Sequence, residues 1–153
     1  MLKGLDPVLT PDLLWCLAAM GHGDDLALVD ANHPASRIAK STSSGRIIEL
    51  PGIGMARAAR AILSVLPIDD FTDDPVRRML VVDDPHAVPP VQREVQAEID
   101  RAAGRRLEMA GIERFAFYEA AKQAFAIVQV GDPRGYGCFL FRKGVVFGEA
   151  PGA

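Results

Sequence analysis

The chain has 153 residues, of which 49% are hydrophobic and 24% charged, a composition typical of a globular protein with a sizeable core. Its 17 basic and 20 acidic residues give a formal net charge of −3, which argues against a nucleic-acid partner because such proteins need basic patches for phosphate. The two cysteines, Cys16 and Cys138, are too few and too far apart for a disulfide framework or a zinc knuckle. With no export signal at the N-terminus and no long apolar stretch, we expect a single cytoplasmic domain over residues 1–153 without a membrane partner.

Helix and strand signals alternate along the chain. Thr10, Pro11 and Asp12 combine an N-cap, a first-turn proline and an acid that favours a helix N-terminus. In chain order, periodicity and breakers predict a helix over 10–20, strands over 26–29 and 46–50, a helix over 53–66, a strand over 79–82, helices over 89–104 and 114–123, a strand over 125–130, and a C-terminal antiparallel pair over 138–141 and 145–147.

This order predicts an α/β domain with a mainly parallel central sheet flanked by helices and closed by the C-terminal antiparallel strand pair. Ligand sites in such sheets lie at the carboxyl ends of the strands. The strand over 26–29 ends at Asp30, and the strand over 125–130 ends at the loop 131–137. We therefore expect Asp30 and this loop to lie at the same edge of the sheet.

His22 is a candidate acid or base because it lies between Gly21 and Gly23, which have no side chains to cover its imidazole. An exposed imidazole titrates near neutral pH, as proton transfer requires. The alternative is a polar turn that contains an incidental histidine.

Two cofactor hypotheses find little support in the sequence. Asp30, His33 and His86 could join His22 around a metal, but none of them falls in a known ligand spacing. The motif Gly52-Ile53-Gly54 follows a predicted strand, as a dinucleotide fingerprint would, but the third glycine is missing. We expect neither a metal nor a cofactor.

Two aromatic segments suit a polyhydroxylated ligand. On the helix over 114–123, Phe117 has the spacing of a core residue, whereas Arg114 and Tyr118 share the adjacent face. A guanidinium offers several donors that sugar oxygens can accept. Tyr136 lies between two glycines and carries a phenol that both donates and accepts. The alternatives are aromatic core packing with a surface arginine, and a plain hairpin-entry loop.

Taken together, these motifs resemble the sugar mutarotase family that contains fucose mutarotases and ribose pyranases, and its fucose side most closely. The resemblance spans nearly the whole chain, is weak over 36–111, and is carried by Met1-Leu2-Lys3, Asp12-Leu13-Leu14, Leu17-Ala18, Met20-Gly21-His22-Gly23-Asp24, Asp30-Ala31, Pro34-Ala35, Arg114-Phe115-Ala116-Phe117-Tyr118-Glu119, Ala124-Phe125-Ala126-Ile127-Val128, Tyr136-Gly137 and Lys143-Gly144-Val145. It implies an α/β fold assembled into a ring-like homo-oligomer, a decamer, that interconverts the anomers of a monosaccharide without a cofactor.

The resemblance also implies roles for single residues. It assigns catalysis to His22 and Tyr136, and substrate binding to Asp30, Arg114, Tyr136, Gly137 and Cys138. Cys138 departs from the family pattern, which has an asparagine there, and so does His33, where an aromatic residue is common. The lost amide puts the identity of the sugar in doubt more than the reaction type.

The expected function is therefore a mutarotase for a pyranose such as L-fucose. Mutarotation needs only one acid and one base, which His22 and Tyr136 can supply. Two alternatives stay open, namely a ribose pyranase that interconverts pyranose and furanose forms, and a non-catalytic protein for sugar binding or transport.

Overall fold

The structure, a computed structural model, describes residues 1–149, which form five helices and six strands. The helices are α1 (Pro11–Ala19), α2 (Ala35–Ala39), α3 (Met55–Leu63), α4 (Pro90–Ala103) and α5 (Arg114–Lys122). The strands are β1 (Asp25–Val29), β2 (Ile47–Leu50), β3 (Val76–Met79), β4 (Ala110–Ile112), β5 (Ala126–Val130) and β6 (Cys138–Arg142). Among these residues, no helix has both the length and the apolar character needed to cross a membrane.

All six strands belong to one sheet with the order β2-β5-β1-β6-β3-β4. The pairs β1–β5, β2–β5 and β3–β4 are parallel, whereas β6 lies antiparallel between β1 and β3. The prediction of an α/β domain with a mainly parallel sheet is confirmed, since five of the six strands run in one direction, and β6 makes the sheet mixed because it runs in the opposite direction. The strand at the C-terminal end of the described chain lies inside the sheet, not in a pair at its margin.

The second strand of the predicted C-terminal pair is wrong, because 145–147 form no strand and their side chains are exposed. The chain leaves the sheet at Gly144, whose backbone packs so closely on the loop before β3 that a Cβ there would lie 2.6 Å from the carbonyl oxygen of Ile68. Its N–H donates to the carbonyl of Pro67 at 2.8 Å, so the segment cannot turn back to pair with β6.

The predicted strand over 79–82 is also wrong in position, since β3 ends at Met79. Arg77 and Arg78 are charged and precede the apolar segment over 79–82, but the fold pairs both of them. Arg77 forms a salt bridge with Asp25, and Arg78 donates to Oε1 of Gln92 at 2.9 Å. The two short elements α2 and β4 were not predicted, because they are shorter than the segments in which hydrophobic periodicity is recognisable.

Helices cover both faces of the sheet, so its strands alternate between two cores. Leu26 and Leu28 of β1 pack with α1, α3 and α4, whereas Ala27 and Val29 pack with α2 and α5. Cys138 belongs to the second core, on the face covered by α2 and α5. The carboxyl ends of β1 and β5 and the amino end of β6 meet at one edge of the sheet. This is the edge at which we expected a site.

Candidate functional site

A cavity of about 280 Å³ opens at this edge of the sheet, on the face covered by α2 and α5. The residues that line it are Asp30, Asn32, His33, Met79, Arg114, Tyr118, Gly135, Tyr136 and Cys138. Four of the six predicted site residues therefore converge on one cavity, although 108 positions separate the first of them, Asp30, from the last, Cys138. The fifth, Gly137, supports the wall through its backbone.

Asp30 follows β1 directly and is nearly fully buried. Its Oδ1 accepts from the backbone N–H of Asn32 at 2.9 Å, and its Oδ2 accepts from the N–H of Gly137 at 3.1 Å. Burial raises the pKa of this carboxyl group despite these bonds. These bonds hold Asp30 as a rigid hydrogen-bond acceptor. The close approach also explains the glycine at position 137, because a Cβ there would lie 3.2 Å from Met55 and 3.3 Å from Asp30.

Tyr136 has a left-handed backbone, with φ at 62°, which costs a residue with a large side chain on the order of 1 kcal/mol or more. The side chain of Gln92 on α4 holds this conformation, because its Nε2 donates to the carbonyl of Tyr136 at 2.9 Å and to that of Met79 at 2.7 Å. The phenol oxygen accepts from the N–H of Val82 at 3.3 Å. The ring is therefore fixed with its hydroxyl proton available.

Arg114 and Tyr118 lie one turn apart on α5, and Nε of Arg114 donates to the phenol of Tyr118 at 3.2 Å. Glu113 begins the helix, and its carboxylate accepts from the N–H groups of Phe115 and Ala116. Phe117 is fully buried, as its spacing predicted. The helix thus points its core residue inward and leaves the terminal guanidinium nitrogens of Arg114 free to bind oxygen atoms in the cavity.

Cys138 and His33 form a buried part of the cavity wall. The Sγ atom lies 3.5 Å from Oδ2 of Asp30 and 3.6 Å from Nδ1 of His33. Burial raises the pKa of the thiol well above its usual value and lowers the pKa of His33 to about 4. At neutral pH the pair is therefore a protonated thiol beside a neutral imidazole.

His22 does not reach this cavity, because it precedes β1 whereas Asp30 follows it. Five residues of strand separate the two by about 17 Å at roughly 3.3 Å per residue. The N–H of Gly23, next to His22, donates to the carbonyl of Lys143, beyond the far end of β6. One chain therefore cannot apply His22 and Asp30 to the same monosaccharide.

His22 nevertheless has the surroundings of an acid or base. Its side chain is 46% exposed, and Nε2 lies 3.0 Å from Oδ1 of the buried Asp69. The edge of its ring packs against Phe71, with the ring centres 5.2 Å apart. Burial raises the pKa of Asp69, but hydrogen bonds from the N–H of Phe71 and from His22 outweigh it and leave this pKa below its usual value. Asp69 is thus a carboxylate that orients the imidazole.

Sequence reasoning missed the roles of Asp69, His33 and Gln92 in these two arrangements. Asp69 is 47 positions from His22, and only the acidic composition of its turn marked it. His33 was considered as a member of a metal cluster, and within residues 1–149 no group of three or more potential ligand side chains is placed to hold a metal. Gln92 looked like any polar residue of an amphipathic helix.

Comparisons with known proteins give a consistent result. The sequence profile of the RbsD / FucU transport protein family matches residues 3–146. The chain is 42% identical to human fucose mutarotase over 148 residues, which are 95% of this chain and 94% of the human protein.

Two solved structures are similar over most of the fold. The crystal structure of Atu2016, a candidate sugar-binding protein, superposes with a TM-score of 0.93 at 50% identity and covers 95% of this chain and 97% of that one. The fucose mutarotase of Streptococcus pneumoniae, solved in complex with L-fucose, superposes with a TM-score of 0.85 at 31% identity, over 95% of this chain and all of that one.

Proposed function

Since this chain belongs to the RbsD / FucU family, we propose that it is a fucose mutarotase, an isomerase that interconverts the α and β anomers of L-fucose. The observation that carries this proposal is the cavity itself, in which a carboxylate, a guanidinium and a phenol converge from distant parts of the chain. Such a set binds a small polyhydroxylated molecule, since it offers both acceptors and donors at fixed positions.

The reaction requires two proton movements and no redox step. A proton leaves the anomeric hydroxyl, another reaches the ring oxygen, and the bond between C1 and the ring oxygen breaks to give the open-chain aldehyde. Rotation about the bond between C1 and C2, followed by reclosure, forms either anomer. We assign to Tyr136 the relay of the proton that leaves the anomeric hydroxyl, because the phenol can accept this proton while it passes its own proton to water. We assign to His22 the donation of a proton to the ring oxygen. Asp30, Arg114 and the 136–138 segment hold the sugar. Positioned proton transfer contributes about 10² to 10⁴ in rate.

For His22 to act on a sugar in the cavity, each complete site would need two copies of the chain, because the two lie at opposite edges of the sheet. We propose that the His22–Asp69 pair of one subunit faces the cavity of the next. Such a contact is head-to-tail and forms a ring when the rotation between neighbouring subunits closes, as it would in the decamer that the family resemblance implies. Phe71 beside His22 and Phe115 beside Arg114 are 65% and 68% exposed. Large apolar side chains at both proposed contact surfaces suit burial against another subunit. The expected cytoplasmic location rests on the two unpaired cysteines.

The test is a saturation-transfer NMR measurement of exchange between the α and β signals of L-fucose, with and without the protein. We expect faster exchange at substoichiometric protein concentration, unchanged after dialysis against a chelator. Binding without faster exchange would support the non-catalytic alternative. Exchange between the pyranose and furanose signals of D-ribose, but not between the anomers of L-fucose, would favour the pyranase alternative.

A further inference from the structure

One buried polar atom of a residue that lines the cavity has no hydrogen-bond partner. Among the buried side-chain nitrogen and oxygen atoms of residues 1–149, Nε2 of His33 is the one left unpaired. His33 is 6% exposed and lines the cavity. Buried polar atoms are almost always paired in folded proteins, because an unpaired one loses its bond to water without replacement. An unpaired nitrogen on a residue that lines a ligand cavity favours a partner that arrives with the ligand.

The fold holds this imidazole in place on several sides. The carbonyl of His33 accepts from Nε2 of Gln129 at 3.0 Å. Its ring packs edge-on against Phe117, with the ring centres 5.7 Å apart, and lies 5.3 Å from the ring of Tyr118. A phenylalanine would satisfy these apolar contacts without leaving a polar atom unpaired. Packing alone therefore does not explain an imidazole at this position.

The other ring nitrogen of His33, Nδ1, contacts the thiol of Cys138. Nδ1 lies 3.6 Å from Sγ, and the same sulfur lies 3.5 Å from the carboxylate of Asp30. If the thiol proton points to Nδ1, then Nε2 carries the ring proton and is a donor. If the thiol proton points to the carboxylate, then Nδ1 can donate to sulfur and Nε2 is an acceptor. A hydroxyl group satisfies Nε2 in both cases, because it can donate and accept.

We infer that His33 is a specificity-determining residue whose Nε2 forms a hydrogen bond with one hydroxyl group of the bound sugar. Cys138 and Asp30 orient the imidazole for this contact. The inference rests on the proposed function and specifies its substrate class, namely aldoses that carry a hydroxyl where the sugar meets His33. A methyl group or a hydrogen at that position leaves Nε2 unpaired.

The first test compares sugars that differ by one hydroxyl group. The panel contains L-fucose, its 2-, 3- and 4-deoxy analogues, and L-galactose, which adds a hydroxyl at C6. These sugars cover every non-anomeric hydroxyl position on the pyranose. Each pair consists of two sugars that differ at one position. For one of these pairs, KM should be about fivefold to a hundredfold lower for the sugar that carries the hydroxyl, because the other sugar leaves a buried polar group without a partner. The His33→Phe variant should discriminate that pair by less than twofold and the other pairs as the natural protein does.

His86→Phe is the matched control, since His86 is exposed and lies outside the cavity lining. It should leave all discrimination ratios unchanged. If His33→Phe weakens all sugars equally, or alters none, His33 has a packing role and the inference fails. Anomer exchange on L-fucose by the natural protein would still support the proposed function, so the two failures are distinguishable.

A second test observes the Nε2 atom of His33 directly by NMR. The chain has three histidines, so a ¹⁵N-histidine sample gives three imidazole spin systems, and His33→Phe identifies that of His33. Saturation with the preferred sugar should shift the Nε2 signal of His33, and the deoxy partner of that sugar should shift it less. The signals of His86 should stay in place. An unchanged His33 signal at saturating sugar would overturn the inference without help from any activity measurement.

Discussion

Mixing two inactive variants should restore activity if each site takes His22 from one subunit and its cavity from another. His22→Ala removes the proton donor for the ring oxygen, and Tyr136→Phe removes the phenol at the anomeric hydroxyl. Each change alone should lower the exchange rate by about 10² to 10⁴. Neither residue lies in a core position whose loss opens a cavity, since His22 is half-exposed and Tyr136 keeps its ring as phenylalanine.

The structure sets the expected magnitude of the rescue. His22 and Asp30 lie about 17 Å apart along β1, so no chain can complete its own site. In a randomly assembled equimolar ring, a site is complete when the subunit that supplies His22 is the Tyr136→Phe chain and its neighbour is the His22→Ala chain. Each condition holds for about half of the positions, so about one quarter of the natural activity should return.

The assay is saturation transfer on L-fucose after the two variants, carrying different affinity tags, are co-expressed and purified through both tags. A second mixture combines the natural chain with a chain that carries both substitutions. Shared sites predict about one quarter of the natural activity there as well, whereas sites completed within one chain predict about one half. No rescue in the first mixture, together with one half in the second, would refute the shared site.

Three further outcomes are expected. Cys138→Asn introduces an amide that can form a hydrogen bond with a sugar hydroxyl, so L-fucose should bind about threefold to tenfold more tightly in calorimetric titration. An affinity within error of that of the natural protein would show that this side chain does not contact the sugar. Burial lowers the pKa of His33 from 6.5 to about 4, so between these pH values the unfolded chain binds a proton that the folded chain does not. The free energy of unfolding should therefore fall by about 3 kcal/mol as the pH drops from 6.5 to 4. Urea unfolding of His33→Phe should lack this part of the loss, and identical pH dependence of the two proteins would contradict the assignment. Gln92→Leu leaves the carbonyl of Tyr136 without its buried donor, so it should lower the free energy of unfolding by about 1 to 3 kcal/mol and lower kcat for L-fucose. An unchanged kcat would mean that Tyr136 does not need the hydrogen bond from Gln92.

Local chemistry made several elements predictable from the sequence. Thr10 begins α1 as expected, with its Oγ1 accepting from the N–H of Leu13, because a helix cap depends on residues within one turn. The apolar run of β1 places Asp30 at the carboxyl edge for the same local reason, since a buried strand ends where a charge follows it. Phe117 faces the core because the helical repeat fixes its direction.

Only the tertiary structure decided the features that depend on contacts between distant residues. Arg77 and Arg78 lie within a strand because Asp25 and Gln92 pair with them, and no periodicity in their own segment reports that compensation. The same holds for Asp69 beside His22 and for Cys138 against His33, which is 105 positions away. A hydrogen bond needs two groups within about 3.5 Å, and chain folding alone sets that distance. The sequence therefore predicted four of the nine residues that line the cavity, and the fold determined that His22 and the cavity lie at opposite edges of one sheet.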